Sequence, residues 1–187
     1  MADKQTIRKE ILKLRDGINA EYSKSAAIKI AEKFISLWAN YNNYALYCAI
    51  KSELSVYPLM HLLWNAGKTV LLPKITDGCI KLYYCASVDE LQRGFMNIYE
   101  PVSHTTAAQV DLIVVPGVAF DRSGYRVGYG KGFYDQLLAD TSRKLTIGIA
   151  FDVQIVDCVP HEAHDILMDA VLTEKGLATE NGVLQMK

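Results

Sequence analysis

The chain has 187 residues, of which 50% are hydrophobic and 22% are charged, and its formal net charge is −1. This composition is typical of a globular protein rather than a disordered one, and we predict a single domain over residues 1–187. A nearly neutral chain does not favour nucleic acid or an anionic membrane as its partner. The amino terminus is charged and every apolar run is too short to span a membrane. We therefore expect a cytoplasmic protein.

Two amphipathic helices are predicted before the first strand. The first covers residues 3–19, with an apolar stripe made of Ile7, Ile11, Leu14 and Ile18. The second covers residues 21–39. Lys4 and Arg8 lie four residues apart on the first helix, so they repel each other unless an anion lies between them. A solvated basic face and an anion site both remain possible interpretations of this pair.

Strands and helices then alternate along the chain. Runs typical of strands occupy residues 44–50, 68–73, 80–85, 112–115 and 144–150, and helices are predicted at 55–66 and after Phe133. This alternation indicates an α/β protein with a largely parallel sheet that is covered on both faces. Because ligands of such folds gather at the carboxyl ends of the strands, we expect the functional residues to follow the strands.

The stretch from Asp111 to Asp135 is the most informative, because it begins as a buried strand and ends in a helix. After Pro116 and Gly117, which stop the strand, come Gly124, Gly128, Gly130 and Gly132, with the cations Arg126 and Lys131 among them. Backbone N–H groups without neighbouring Cβ atoms, a helix amino terminus and cations together suit a phosphate group. The spacing matches neither a Walker loop nor the dinucleotide-binding fingerprint. The glycines alone would equally suit a tight turn without a ligand.

A second polar segment lies near the carboxyl end of the chain. It contains His161, Glu162, His164 and Asp165. Zinc is not favoured, because the two histidines have the wrong separation for a metalloprotease helix and no further ligand cluster appears in the sequence. The four cysteines show no zinc spacing either, and we expect them to be reduced thiols.

Residues 116–135, PGVAFDRSGYRVGYGKGFYD, resemble the glycine-rich motif of the 5-formyltetrahydrofolate cyclo-ligase family. That family's pattern is P-G-x-A-F-D, a short gap, then G-x-R-x-G-x-G-x-G-aromatic-Tyr-Asp. The match is nearly continuous, which makes it far more specific than a lone glycine loop. The resemblance implies a three-layer α/β/α fold with a mostly parallel sheet, similar to that of sugar-phosphate isomerases and CoA transferases.

The resemblance also implies which residues bind the nucleotide. The family opens with a Lys-x-x-x-Arg helix that contacts ATP, and the matching residues here are Lys4, Gln5, Thr6, Ile7 and Arg8. The glycine-rich motif supplies the remaining ATP contacts: Arg126, Val127, Gly128, Tyr129, Gly130, Lys131, Gly132, Phe133 and Tyr134. Arg126 and Lys131 are the candidate catalytic residues, with Lys131 stabilising charge on the phosphoryl group.

Folate and metal contacts follow from the same resemblance. The implied folate-binding residues are Cys48, Glu53, Met96, Tyr129, Gly130, Lys131, Gly132 and Phe133. The segment Asp169-Ala170-Val171-Leu172-Thr173 matches the family's Asp-x-Val-x-Thr ending, whose aspartate joins the one at Asp135 in holding Mg²⁺. His164 and Asp165 are expected to hold the loop together.

The implied reaction is an ATP-dependent ring closure of 5-formyltetrahydrofolate to 5,10-methenyltetrahydrofolate, with Mg²⁺ as the metal. We expect the partners to be small-molecule substrates and the enzyme to be a monomer. Two alternatives remain open at this point. One is a sugar-phosphate isomerase or CoA transferase on the same scaffold, which would leave the paired aspartates and the cations of the first helix unexplained. The other is a folate- or nucleotide-binding protein without turnover.

Overall fold

The computed structural model describes residues 3–94, 97–107, 109–162, 165–179 and 182–184. Its centre is an eight-stranded sheet made of β1 (Asn43–Ala45), β2 (Thr69–Thr76), β3 (Cys79–Tyr84), β6 (Leu112–Val115), β9 (Leu145–Ile149), β11 (Ala170–Thr173), β12 (Gly176–Thr179) and β13 (Gly182–Leu184). The strand order is β13-β12-β11-β9-β6-β1-β2-β3. The five neighbours from β11 to β2 run parallel, and β3, β12 and β13 continue the sheet as antiparallel edges.

Helices cover the two faces of this sheet, as the sequence predicts. The helices are α1 (Lys4–Asp16), α2 (Ala20–Trp38), α3 (Tyr57–Asn65) and α4 (Phe133–Asp140). Buried side chains of α2 and α3, such as Phe34 and Leu63, pack with Val114 on one face of the sheet. Leu137 of α4 packs with Ile113 on the other face. The three-layer α/β/α prediction is therefore confirmed.

Helix α1 packs elsewhere than on the central sheet. A small sheet of β7 (Ala119–Asp121), β8 (Arg126–Val127) and β10 (Ile155–Val156) lies beside it, and a two-stranded ribbon is formed by β4 (Leu91–Arg93) and β5 (Tyr99–Pro101). Ile7 and Ile11 of α1 are buried against Val118 and Val127. This contact brings the amino-terminal helix to the strand that enters the glycine-rich stretch.

The sequence prediction is wrong at Leu14, which is 56% exposed, whereas Arg15 is only 1% exposed. Positions 7, 11 and 15 follow each other at intervals of four residues, and this stripe faces the protein. A prediction based only on the spacing of apolar residues places Leu14, rather than Arg15, on the buried face of the helix. Burial of the arginine requires polar partners, which the surrounding loops supply.

The predicted strand over residues 44–50 is also shorter, because β1 ends at Ala45. The following residues form the β1–α3 loop (residues 46–56), in which the hydroxyl of Tyr47 donates a hydrogen bond of 2.7 Å to the carbonyl of Leu54. Several apolar residues of this loop are buried like those of the strand. The apolar pattern of the sequence therefore does not show where the strand ends. Among the described helices, none is long and apolar enough to cross a membrane.

Candidate active site

Three loops and one helix meet at the carboxyl ends of the parallel strands. The β1–α3 loop follows β1, residues 116–118 follow β6, and the glycine loop (residues 128–132) runs from β8 into α4. Helix α1 crosses beside all three, and its Arg15 donates hydrogen bonds to each of them. This is the edge of the sheet at which α/β proteins bind their ligands.

The turn between β7 and β8 sets the position of the glycine-rich stretch. Asp121 is 3% exposed, and its carboxylate accepts hydrogen bonds from the backbone N–H groups of Ser123, Tyr125 and Val159. Gly124 has a φ angle of 99°, and a Cβ atom there would lie 2.4 Å from the carbonyl oxygen of Met168. The aspartate and the glycine of the motif therefore fix the backbone rather than touch a ligand.

Gly124→Ala is expected to lower the free energy of unfolding by about 2–4 kcal/mol, because it combines a positive φ with a backbone clash. Gly17→Ala is the matched control, since Gly17 has an ordinary φ of −81° and its nearest contact would be 3.4 Å away. The control should stay within about 0.5 kcal/mol in urea unfolding. Equal stability of the two variants would contradict this assignment.

The glycine loop has the backbone geometry of an anion cradle. Gly130 and Gly132 have φ angles of 92° and 69°, which side chains rarely adopt. Gly132 is the N-cap of α4, and because glycine has no side chain it leaves the first N–H groups of the helix open to an external acceptor. Among the described residues, nothing lies within 4 Å of the Cβ positions of Gly128 and Gly132. The loop can therefore accept an anion close to its backbone.

One of the two predicted cations of α1 reaches the glycine loop, and the other pairs with a neighbouring segment. The Nε of Arg8 donates a hydrogen bond of 2.9 Å to the carbonyl of Gly128. Lys4 forms a salt bridge of 2.7 Å with Asp165, which ties α1 to the segment after β10. Ile7 is buried in the contact with the small sheet, while Gln5 and Thr6 are exposed. Of the five predicted residues, Lys4 and Arg8 thus have their charged groups tied to neighbouring segments of the site.

Arg126 and Asp135 pair directly. Their closest atoms are 2.7 Å apart, and the side chain of Arg126 is only 6% exposed. Lys131 is exposed, with its Nζ 5.9 Å from the centre of the Phe133 ring. Arg126 is therefore fixed in place, whereas the ammonium group of Lys131 lies at the solvent side of the loop.

The second predicted metal ligand lies in a different environment. Asp169 immediately precedes β11, at the amino end of the strand, and accepts a 2.7 Å hydrogen bond from the N–H of Thr146. It lines a polar surface cavity of about 380 Å³ together with Arg143. No group of three or more metal-ligating side chains was found among the described residues. A metal shared by Asp135 and Asp169 therefore stays a prediction.

The β1–α3 loop carries two of the predicted folate-binding residues, Cys48 and Glu53. The carboxylate of Glu53 accepts a 2.9 Å hydrogen bond from the N–H of Ile50, and burial raises the pKa of Glu53 to about 7. Cys48 is 6% exposed and belongs to the core, where burial raises the pKa of its thiol to about 12. Cys48 therefore offers a ligand only a small surface. Met96 and His164 lie outside the described residues.

Two features of the site were missed in the sequence. Buried Arg15 donates to Tyr129 of the glycine loop, and the rings of Tyr125 and His161 stack with their centres 3.6 Å apart. The spacing from Ile7 to Arg15 could have placed the arginine on the buried stripe of α1. The ring stacking has no comparable signal, because its two residues are far apart in the chain.

An α/β scaffold with an open glycine loop, cations and a half-buried carboxylate at one sheet edge is typical of enzymes that act on small molecules. Comparison with known proteins gives the particular family. Residues 1–174 match the model of the 5-formyltetrahydrofolate cyclo-ligase family. The chain belongs to this family, and it is an enzyme of that kind.

Relatives of known name agree. The chain is similar to 5-formyltetrahydrofolate cyclo-ligase of Escherichia coli strain K12, with 34% identity over 69% of this chain and 76% of the relative. The Haemophilus influenzae protein of the same name is 30% identical over 90% of this chain and 96% of its own. Among solved structures, Aquifex aeolicus 5,10-methenyltetrahydrofolate synthetase matches with a TM-score of 0.85 and 34% identity, covering 98% of this chain and 96% of that one.

Proposed function

We propose that the enzyme closes 5-formyltetrahydrofolate to 5,10-methenyltetrahydrofolate, using ATP and Mg²⁺ and releasing ADP and phosphate. The observation that carries the proposal is the meeting of the glycine loop, the α1 cations and the Glu53 loop at one sheet edge. The glycine loop and the cations suit the phosphates of a nucleotide, and the half-buried carboxylate of Glu53 can accept hydrogen bonds from the N–H groups of a pterin. A cytoplasmic location and a monomeric state stay predictions from the sequence.

The nucleotide phosphates would lie against the glycine loop and the amino end of α4. Open backbone N–H groups and the helix dipole both favour a negative ligand there. Arg8 and Arg126 flank the loop through their contacts with Gly128 and Asp135, so their charges are already held near the phosphates. Because phosphoryl transfer depends mostly on positioning and charge neutralisation, these groups suffice without a protein nucleophile.

The chemical sequence follows from the substrate. A formamide oxygen is a poor leaving group, so it first attacks the γ-phosphorus of ATP and ADP departs. The neighbouring amine nitrogen of the folate then attacks the activated formyl carbon. Phosphate leaves with the former formyl oxygen, and the amine loses its proton. Glu53 would orient the pterin through a charged hydrogen bond.

The residues present fit one magnesium ion at Asp135. Mg²⁺ prefers oxygen ligands and is commonly held by one or two carboxylates together with substrate phosphates. Asp135 stands in the first turn of α4, directly after the cradle, and one of its oxygens binds Arg126. The ion would neutralise charge on the phosphates. Asp169 stands at the amino end of β11, at the opposite edge of the parallel strands, and one of its oxygens accepts from Thr146, so Asp135 is the carboxylate that we assign to the ion.

The function is tested by absorbance of the methenyl product together with ADP release. Purified protein, 5-formyltetrahydrofolate, ATP and Mg²⁺ should give product and ADP in equal amounts, and omission of any component should stop both. ADP release that does not require the folate, or product that does not require ATP, would overturn the proposal.

Arg8→Met is expected to raise the KM for ATP about tenfold, because a charged hydrogen bond to the loop is worth about 1.5–3 kcal/mol. The KM for the folate should change little. The neighbouring variant Lys9→Met removes an exposed charge from the same helix and serves as the control. Steady-state kinetics with each substrate varied in turn decides the matter, and an unchanged KM for ATP in Arg8→Met would refute the assignment.

A further inference from the structure

Arg15 lies where the loops of the site converge. Its side chain is 1% exposed, and its guanidinium donates to three separate segments of the chain. Nε donates to the Ser52 hydroxyl at 3.1 Å, Nη1 to the Gly117 carbonyl at 3.3 Å and Nη2 to the Tyr129 hydroxyl at 2.5 Å. One cation therefore joins the β1–α3 loop, the loop after β6 and the glycine loop.

The partners of Arg15 are themselves held in place. Ser52 donates its hydroxyl proton onward to Asp16, which leaves the lone pairs of the oxygen to accept from Arg15. The Gly117 carbonyl also accepts from Gln154 Nε2 at 2.9 Å. The guanidinium carbon lies 5.8 Å from the centre of the Tyr129 ring, and Lys51 Nζ lies 5.6 Å from the same centre. The ring and hydroxyl of Tyr129 are therefore held in place by Lys51 of the β1–α3 loop and by Arg15 of α1.

We propose that Arg15 is a positioning residue that couples the folate half of the site to the nucleotide half, by holding Tyr129 and by presenting positive charge to Glu53. The inference rests on the proposed function and extends it to a residue outside the glycine motif. Arg15 acts through Tyr129 and Glu53 and does not itself touch the substrates.

Electrostatics supports the second half of this role. Burial raises the pKa of Glu53, and the hydrogen bond from the backbone of Ile50, followed by the positive charges of Arg15 and Lys51, opposes that rise. Other groups that interact with Glu53 are the phenols of Tyr47, Tyr129 and Tyr134, and the pKa of each is raised first by burial and then by the charge of Glu53. Because these phenols remain neutral at physiological pH, Arg15 and Lys51 are the charges that favour the ionised form of Glu53.

An arginine suits this position better than a lysine. Three acceptors on three loops lie around one planar group, and the guanidinium offers five N–H donors in a fixed fork. A lysine would keep the positive charge but reach fewer of the acceptors. The two substitutions therefore separate the geometric role of Arg15 from its charge.

The test compares Arg15→Lys, Arg15→Met and Tyr129→Phe with the wild type, and Lys13→Met serves as control because Lys13 is exposed on the same helix. kcat and KM for both substrates are measured from about pH 5.5 to about pH 9. Arg15→Met should lose about tenfold in kcat and shift the acid limb of kcat/KM for the folate by about half a unit or more to higher pH. Arg15→Lys should lose kcat without that shift, and Tyr129→Phe should behave in the same way.

An acid limb in Arg15→Met that coincides with the wild type would overturn the inference, as would full activity of Arg15→Lys and Tyr129→Phe. If Arg15→Met does not fold, the kcat of those two variants still decides the positioning role. A carboxyl NMR titration of Glu53 in Arg15→Lys and wild type supplies a readout without turnover, and equal pKa values are expected. Absence of cyclisation in the wild type would refute the proposed function instead, which keeps the two failures distinct.

Discussion

Asp135→Asn is expected to reduce turnover by about a thousandfold at saturating substrates, because a metal ligand beside the transferred phosphoryl group acts mainly in the transition state. Asparagine has nearly the same shape, so the loss would report the charge. The carboxylate stands at the first turn of α4 and pairs with Arg126 at 2.7 Å. The substitution therefore removes the proposed metal ligand and also the counter-charge of a nearly buried arginine.

The free energy of unfolding of the same variant should be about 1–2 kcal/mol lower than that of the wild type, because Arg126 then has only a neutral acceptor at position 135. Asp140→Asn is the control, because Asp140 is exposed at the end of the same helix. Activity is followed while Mg²⁺ is titrated, with stability measured in parallel. An Asp135→Asn protein that keeps more than about a tenth of the activity would contradict the metal site.

Glu53→Gln is expected to raise the KM for the folate by about a hundredfold, because a charged hydrogen bond inside a partly desolvated site becomes a neutral one. The KM for ATP should change far less. The amide oxygen of the introduced glutamine can still accept the N–H of Ile50, so the loop should keep its conformation. Titration of each substrate separates the two effects, and equal changes in both KM values would argue against a folate-side role.

The pH dependence of stability gives Glu53 a second signature. Burial raises the pKa of Glu53 to about 7 from its ordinary value of 4.5. Between these values the folded protein binds more protons than the unfolded chain, so this group's contribution to stability falls as the pH rises. The variant Glu53→Gln lacks this loss. It should melt at a higher temperature than the wild type at pH 8, and this difference in melting temperature should become smaller below about pH 5. A lower melting temperature than that of the wild type at pH 8 would contradict the burial of Glu53 as the cause.

Much of the fold could be predicted because its signals are local. Leu112–Val115 is an uninterrupted apolar run, and the structure makes it a central strand with the same bounds. The glycines at 130 and 132 adopt the positive φ angles that motivate a phosphate loop. Periodicity placed α2 within one residue at each end, since most of its apolar face is buried in the core.

The remaining features depend on contacts between distant segments. The strands β7, β8 and β10 are two or three residues long, and their pairing is fixed by Asp121, whose partners extend to Val159. The burial of Arg15 depends on acceptors from three loops that meet only in the folded chain. Helix–strand alternation carries no information about either arrangement.

In the candidate site, too, some features have a local signal in the sequence and others depend on contacts between distant segments. Helical spacing places Lys4 and Arg8 on one side of α1, where Arg8 contacts Gly128 and Lys4 pairs with Asp165, while their contact with ATP stays a prediction. Asp169, which directly precedes β11, accepts a hydrogen bond from the backbone N–H of Thr146 in β9, and no pattern in the sequence anticipates that hydrogen bond. Its place beside Asp135 in a metal site stays a prediction until the metal is measured.

In the proposed reaction the formyl oxygen is phosphorylated before the ring closes. The most direct measurement uses 5-formyltetrahydrofolate carrying ¹⁸O in the formyl group, with ATP and Mg²⁺, and determines the mass of the phosphate released. One ¹⁸O atom in each phosphate is the predicted result, because the oxygen must leave on phosphorus. Unlabelled phosphate, with the ¹⁸O recovered in water, would contradict the account and would point to ring closure without phosphoryl transfer to the folate.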